Sequence, residues 1–314
     1  MISPSPMLLE LRDVTVRFGG LTALDGVSFG VPQGRVTGVI GPNGAGKTTL
    51  FNVVCGFIRP QAGELYWRGE RLTRHRPHHL TRLGIARTLQ GLGLFPGLTA
   101  LENVMVGADR HARTGVLSAL GALPRSDRDE GALRDRARQV LADLDVADVA
   151  GRRPGELPYG IQKRVALARA LVAEPDLLLL DEPAAGQSAA EIDDLGALLR
   201  RLREDMSVVL VEHHMDLVME VCDEVAVLDF GRLIAHGTPD EVRDDPLVTA
   251  AYLGDEVDAG PEPSDVPEDG NLEDGGAGKG DGGGVFEGDV LEGDGDGLEG
   301  DAQASALEGE VSSA

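Results

Sequence analysis

The chain has 314 residues, two cysteines and a formal net charge of −24. This length allows one large α/β core with an appended subdomain, or two modest domains. The charge is concentrated in residues 255–314, where 19 acidic residues and one lysine give −18 and leave −6 for the rest of the chain. Affinity for nucleic acid depends mainly on Lys and Arg. We therefore expect no nucleic-acid partner.

The first 90 residues are predicted to form several strands and one helix. Residues 8–18, "LLELRDVTVRF", alternate apolar and polar side chains, which predicts a half-buried strand. The segments "VSFGV" and "RVTGVIG" are predicted strands, and the second is apolar enough for the centre of a sheet. A helix begins at "KTTLFNVVCGF", and "GELYWRGERL" predicts a hairpin. Residues 80–90 should return the chain to the core.

Helical periodicity follows Thr99 and is broken at Gly121 and Pro124. Residues 92–172 are therefore predicted to form a mostly helical subdomain inserted in the core. "DLLLLDEP" is an apolar strand with acids at its carboxyl end, "SVVLVEHH" repeats that design, and "EVAVLDFGRLIAHG" predicts a closing hairpin. Strands separated by helices indicate an α/β fold with a mostly parallel core sheet.

Composition also sets expectations for the termini and the cysteines. Residues 255–314 are rich in Gly, Asp and Glu and too poor in apolar residues to form a core, so we predict a disordered acidic tail. Cys55 and Cys222 lie in apolar segments and should be buried. The N-terminus shows no secretory leader pattern, and no apolar run reaches the roughly 18 residues of a spanning helix. We expect a cytoplasmic chain that reaches a membrane only through a partner.

The motif G-x-x-x-x-G-K-[ST] occurs between a predicted strand and a predicted helix, as its phosphate-binding mechanism requires. Backbone N–H groups and the helix N-terminus would face the phosphates, Lys47 would reach the β- and γ-phosphates, and the Thr48 hydroxyl would hold Mg²⁺. A chance Gly-rich turn is the alternative. The predicted nucleotide-binding residues of this loop are Gly41, Pro42, Asn43, Gly44, Ala45, Gly46, Lys47, Thr48 and Thr49.

Two acids end the strand in "LLLLDEP". In P-loop enzymes an Asp at this position holds Mg²⁺, which assigns Asp181, and a following carboxylate positions the attacking water, which assigns Glu182. Two solvated surface acids are the alternative. A GTPase would need an Asn-Lys-x-Asp base reader, but none of the three lysines follows an Asn.

Five motifs, "GPNGAGKTT", "IARTLQ", "LPYGIQKR", "LLLLDEPAAG" and "VVLVEHHMDLVM", follow one another in the order and spacing of an ATP-binding cassette subunit. The resemblance covers residues 8–254. It implies a P-loop NTPase cassette in residues 1–254, with an antiparallel β edge and the inserted helical subdomain. "RFGGLTALDGVSF", "LFPGLTALENVMVG" and "AYLG" look like the cassettes of branched-chain amino-acid importers.

The resemblance also implies roles for three single residues. Phe18 would stack on adenine, Gln90 would be the lid glutamine that senses Mg²⁺ and the transmembrane partner, and His213 would be the switch histidine near the γ-phosphate. Each role has a plainer alternative: a core side chain for Phe18, a polar loop residue for Gln90 and a satisfied histidine at a strand end for His213.

Cassette ATPases work as dimers in which the signature loop of one subunit covers the ATP of the other. That loop usually reads Leu-Ser-Gly-Gly-Gln, whereas residues 157–161 here read "LPYGI". Pro158 lacks the serine hydroxyl but suits the first turn of a helix. The N–H groups of Gly160, Ile161 and Gln162 would then face the phosphate, so Pro158, Tyr159 and Gly160 are predicted nucleotide contacts. A degenerate site is the alternative.

The resemblance thus implies an ATPase that uses ATP and Mg²⁺ to power an importer of branched-chain amino acids. Its partners would be transmembrane permease subunits, a second cassette of the same or a different chain and, indirectly, an extracytoplasmic substrate-binding protein. The chain would lie at the cytoplasmic face of the membrane. An importer of urea or short amides and a cassette ATPase without a transport role are the alternatives.

Overall fold

The computed structural model describes residues 6–88, 92–108 and 124–258, with the backbone alone for residues 124–129 and 253–258. The chain divides into two compact units, Met1–Glu262 and Pro263–Ala314, and all described residues belong to the first. Gln90 and residues 259–314 of the predicted acidic tail lie outside the described residues.

A six-stranded sheet forms the centre of the first unit, in the order β10-β9-β3-β8-β7-β6. All neighbouring strands are parallel except β9 and β10, which form the predicted hairpin at one edge. Every residue of β3, β7 and β8 is buried, as expected for central parallel strands. The strands are β3 (Val36–Ile40), β6 (Ile85–Arg87), β7 (Leu177–Asp181), β8 (Ser207–Val211), β9 (Glu224–Asp229) and β10 (Arg232–Gly237).

A second, antiparallel sheet has the order β2-β1-β4-β5. Its strands are β1 (Met7–Phe18), β2 (Leu21–Pro32), β4 (Ala62–Trp67) and β5 (Glu70–Arg71). The predicted strand "VSFGV" is the second half of β2, which pairs with β1 along its whole length. These strands form a separate sheet, because β1 pairs with β2 and β4, and β4 pairs with β5.

Three helices of the described residues, α3, α4 and α5, lie between β6 and β7 in the chain, where an inserted helical subdomain was predicted. The last helix, α9, continues to Asp258, past the predicted boundary at Gly254. No described helix is both long and apolar enough to cross a membrane. The helices are α1 (Lys47–Val54), α2 (Leu80–Leu83), α3 (Ala100–Gly107), α4 (Pro124–Asp143), α5 (Tyr159–Leu171), α6 (Ala189–Leu202), α7 (Met215–Val221), α8 (Pro239–Arg243) and α9 (Pro246–Asp258).

Two apolar cores cover the two faces of the parallel sheet. Leu178 and Leu180 of β7 face the core that includes the inserted helices, whereas Leu177 and Leu179 face the core that includes the antiparallel sheet. Both cysteines are buried and unpaired, as predicted, and burial raises the pKa of Cys55 to about 11 and that of Cys222 to about 12. Neither thiol is therefore a reactive nucleophile at neutral pH.

Asn103 of α3 is a polar side chain buried in the helical region. Its Nδ2 donates to the carbonyl oxygens of Phe95, Leu98 and Thr99, at 3.2, 3.2 and 2.9 Å, and its Oδ1 accepts from the Phe95 N–H at 2.8 Å. This one amide therefore holds the loop before α3 in place.

We expect Asn103→Ala to lower the free energy of unfolding by about 2 kcal/mol, because it removes a buried side chain and leaves backbone groups of residues 95–99 without their partner. Chemical denaturation measures the loss. Gln139→Ala removes an exposed amide on α4 that bonds only Asp143 among the described contacts, and should stay within about 0.5 kcal/mol of the parent. Equal losses in the two variants would contradict the role of Asn103.

Candidate nucleotide site

The loop between β3 and α1 has the open backbone of a phosphate cradle. Gly41, Gly44 and Gly46 have φ values of 146°, 80° and 105°, in a region that favours glycine. A Cβ at Gly41 would lie 2.0 Å from the Leu228 carbonyl oxygen, and one at Gly46 would lie 2.6 Å from that of Ala23. Side chains are therefore excluded at both positions, and the backbone itself lines the cradle.

The ammonium of Lys47 lies within this loop. Its Nζ donates to the carbonyl oxygen of Gly41 at 2.5 Å and to that of Pro42 at 2.8 Å. Thr48 follows in the first turn of α1 and is exposed, whereas Thr49 is half-buried. A cation, a hydroxyl and a helix N-terminus thus meet at one place, which suits a polyphosphate with a bound cation.

Asp181 ends β7 and is almost fully buried. Its Oδ2 accepts from Arg87 Nη2 at 2.9 Å, while its Oδ1 is buried and has no hydrogen-bond partner. Arg87 ends β6 and also donates from Nη1 to Asn52 Oδ1 on α1 at 2.8 Å. An unpartnered carboxylate oxygen beside a phosphate cradle suits a divalent cation. Arg87 and Asn52 were not predicted from the sequence, although an arginine at the end of a short apolar strand is a signal for a buried partner.

Glu182 and His213 follow neighbouring parallel strands, since Asp181 pairs with Val211 in the register of β7 and β8. Glu182 is half-buried and its φ of 49° is unusual for a residue other than glycine. The His213 side chain is 58% exposed, so the imidazole is accessible from solvent. The structure therefore brings the loop of residues 41–49, the two acids and His213 to the carboxyl edge of one sheet.

Comparisons with known proteins agree with this geometry. The family model described as "ABC transporter" matches residues 24–185, and that described as "Branched-chain amino acid ATP-binding cassette transporter" matches residues 232–258. The chain is 42% identical over 250 residues to the high-affinity branched-chain amino acid transport ATP-binding protein BraF of Pseudomonas aeruginosa, which covers 79% of this chain and 98% of BraF. The chain belongs to the ABC transporter family. The predicted family, cassette fold and ATPase activity are thereby confirmed.

Other ABC proteins extend the match. LivG of Escherichia coli, a protein of the same description, is 37% identical over 80% of this chain and 99% of its own length. The solved structure of an ABC transporter cassette in its ADP conformation is 32% identical, with a TM-score of 0.68, over 79% of this chain and 99% of that chain. The cassette of this chain therefore has the fold of a relative that was solved in its ADP conformation.

Phe18 is the last residue of β1 and is 50% exposed. It is therefore not a core side chain, and its contact with adenine stays a prediction. The role of Gln90 also stays a prediction, because this residue lies outside the described part of the cassette.

The signature segment differs from the prediction in two details. Pro158 is the N-cap residue of α5, with φ −55° and ψ 150°, and the helix begins at Tyr159, so proline stands just before the first turn. The Gln162 N–H donates to the Pro158 carbonyl oxygen at 3.0 Å, so it cannot face a phosphate as predicted. The first turn leaves the N–H groups of Tyr159, Gly160 and Ile161 without partners within the helix.

Gly160 lies close to a carboxylate of α6. A Cβ on Gly160 would lie 2.6 Å from Glu191 Oε1. Glu191 Oε2 accepts from the N–H and Oγ of Ser188 at 2.9 and 2.7 Å, and these bonds lower the pKa of Glu191. Ser188 therefore serves as the cap of α6.

We expect Arg87→Met to lower the free energy of unfolding by about 3 kcal/mol or more, because it leaves the buried Asp181 carboxylate without its counter-charge. Chemical denaturation of the nucleotide-free chain tests this. The control is Arg134→Met, whose ion pair with Glu130 on α4 is exposed and should be worth less than about 1 kcal/mol. If the two variants lose the same stability, the Arg87–Asp181 pair is not the constraint described here.

Proposed function

We propose that this cassette hydrolyses ATP to power an importer of branched-chain amino acids. The observation that carries the proposal is the match to BraF over nearly the whole of that relative, together with the branched-chain family model at residues 232–258. Importers of urea or short amides, and cassette ATPases without a transport role, remain the alternatives. The transported solute does not touch this subunit, so the site geometry does not distinguish between these substrates.

Residues at the carboxyl edge of the sheet would each have a different role in hydrolysis. The backbone of residues 41–49 and the Lys47 ammonium would hold the phosphates, and Phe18 would stack on the adenine. Mg²⁺ would be held by the Thr48 hydroxyl, by Asp181, whose Oδ1 is free of hydrogen bonds, and by Gln90. When bound, the ion would neutralise charge between the phosphate groups. Glu182 would then orient and deprotonate the attacking water, and His213 would hold the γ-phosphate.

A second cassette would complete each ATP site. Tyr159 is 49% exposed and Gly160 has little room for a side chain, so the first turn of α5 can approach a phosphate on another subunit. Pro158 has neither an N–H nor a hydroxyl to donate, so binding at this end would depend on backbone N–H groups. The second cassette is either a copy of this chain or a related one.

ATP-binding subunits of ABC importers work with transmembrane permease components. We assign the same role to this chain, at the cytoplasmic face of a membrane, with an extracytoplasmic substrate-binding protein acting through the permease. The inserted helices α3–α5, which include the signature segment, are the part assigned to transmit closure of the cassettes.

We expect Glu182→Gln to bind MgATP as the parent does but to hydrolyse it at least about 100-fold more slowly, because the amide cannot take a proton from water. Phosphate release and nucleotide binding are measured on the full chain assembled with its partner cassette. The control is Lys47→Ala, which should weaken nucleotide binding itself. Parental turnover in Glu182→Gln would rule out its assignment as the base.

We expect Gly160→Asp to abolish hydrolysis at the site this subunit completes, since it adds a like charge beside the γ-phosphate and next to Glu191. Nucleotide binding to the subunit's own loop should survive. Pro158→Ser should change turnover by less than about tenfold. Gly151→Asp is the matched control, because a Cβ at Gly151 meets no atom within 4 Å. Full activity in Gly160→Asp would show that residues 157–161 only cap a helix.

A further inference from the structure

Glu212 is a buried carboxylate to which no step of the hydrolysis scheme assigns a role. It follows β8 directly, and its side chain has no exposed surface. Acidic side chains are rarely buried to this extent without specific partners. Its position, one residue before His213, places it at the edge where hydrolysis would occur.

The two oxygens of Glu212 bind two different loops. Oε1 accepts from the Ala184 N–H at 2.6 Å, in the loop after Glu182. Oε2 accepts from the N–H groups of His213 and His214 at 3.1 and 3.4 Å, and lies 3.1 Å from His214 Nδ1. One side chain therefore joins the segment that follows Glu182 to the segment that contains His213.

A carboxylate suits this position better than an amide. The three backbone partners are N–H groups that can only donate, so the side chain must accept hydrogen bonds on both oxygens. A glutamine could accept on one oxygen, but its NH₂ group would face donors on the other side. The negative charge also strengthens each of these bonds.

Lys163 of α5 holds the same loop from the other side. Its Nζ donates to the Pro183 carbonyl oxygen at 2.7 Å and to that of Ala185, the two residues that flank Ala184. Burial lowers the pKa of Lys163, and the nearby carboxylates of Glu212 and Glu191 oppose this shift. The loop after Glu182 is thus held at the Ala184 N–H by Glu212. Its Pro183 and Ala185 carbonyls are held by Lys163 of α5.

We propose that Glu212 is a positioning residue for ATP hydrolysis. Its carboxylate locks the His213 loop to the loop after Glu182, so that the Glu182 carboxylate and the His213 imidazole face the γ-phosphate together. This inference rests on the roles assigned to Glu182 and His213 under the proposed function. Glu212 itself does not touch the nucleotide. Its loss should therefore affect turnover more than nucleotide binding.

The test is Glu212→Gln, which keeps the shape of the side chain and loses half of its acceptors. Its kcat should fall at least about tenfold while the KM for ATP stays within about twofold, as expected for a group that acts only on the chemical step. Amide hydrogen exchange on the full chain should speed up in residues 184–187 and 213–216 but not in α1. Glu220→Gln is the control, because Glu220 of α7 forms an exposed ion pair with Arg200 and should leave kcat and exchange unchanged.

A double variant separates positioning from general structural damage. If Glu212 acts by positioning His213 and the loop after Glu182, Glu212→Gln should slow the His213→Ala protein by a smaller factor than it slows the parent, because effects on one functional unit are not additive. Independent, multiplying losses would overturn the proposal. So would a Glu212→Gln protein that no longer binds nucleotide, since that result indicates a wider loss of structure.

Different results would overturn the hydrolysis scheme and the role of Glu212. Parental turnover in both Glu182→Gln and His213→Ala would remove the proposed assignments themselves. If those two variants are inactive while Glu212→Gln keeps the parental kcat and exchange rates, the hydrolysis scheme stands and the inference about Glu212 is wrong.

Discussion

The site depends on parallel pairing of three buried strands. β8 lies between β3 and β7, and the register places Val211 opposite both Val39 and Asp181. The carboxyl ends of all three strands therefore meet at one edge, although the residues that follow them are far apart in sequence. Apolar cores cover both faces of this arrangement, with Leu178 and Leu180 of β7 in one core and Leu177 and Leu179 in the other.

Two buried acids at this edge differ in how their oxygens are used, and that difference suggests their roles. Asp181 has a cationic partner on one oxygen and none on the other, which leaves a lone pair for a ligand. Glu212 accepts hydrogen bonds on both oxygens, from backbone N–H groups of two different loops. A buried polar atom without a partner is costly, so the open oxygen of Asp181 is better explained by a ligand than by folding. The satisfied carboxylate is better explained as a positioning group.

Periodicity and motif spacing predicted most strands and the helices between β6 and β7. They also predicted that the loop of residues 41–49 and the acids after β7 follow buried strands. They could not predict partners that lie far apart in the chain, because nothing in a local pattern pairs Arg87 with Asp181 or Glu212 with Ala184. The antiparallel strands were predicted individually, yet their grouping into a separate sheet depends on pairing between strands that are distant in sequence. The capping role of Ser188 was not predicted, although Ser followed three residues later by Glu191 is the pattern of a capping box.

Under the proposed function, the position of Pro158 would let a signature without serine bind an anion. A serine at the N-cap often accepts hydrogen bonds from N–H groups of the first turn. Pro158 makes no such side-chain bond, and it has no N–H of its own to be left without a partner. The N–H groups of Gly160 and Ile161 therefore keep their capacity for an external acceptor, with the positive end of α5 behind them. Lys163, one turn along the same helix, holds the loop after Glu182. Phosphate contact at the start of α5 and the geometry of this subunit's own acids are thus linked through a single helix.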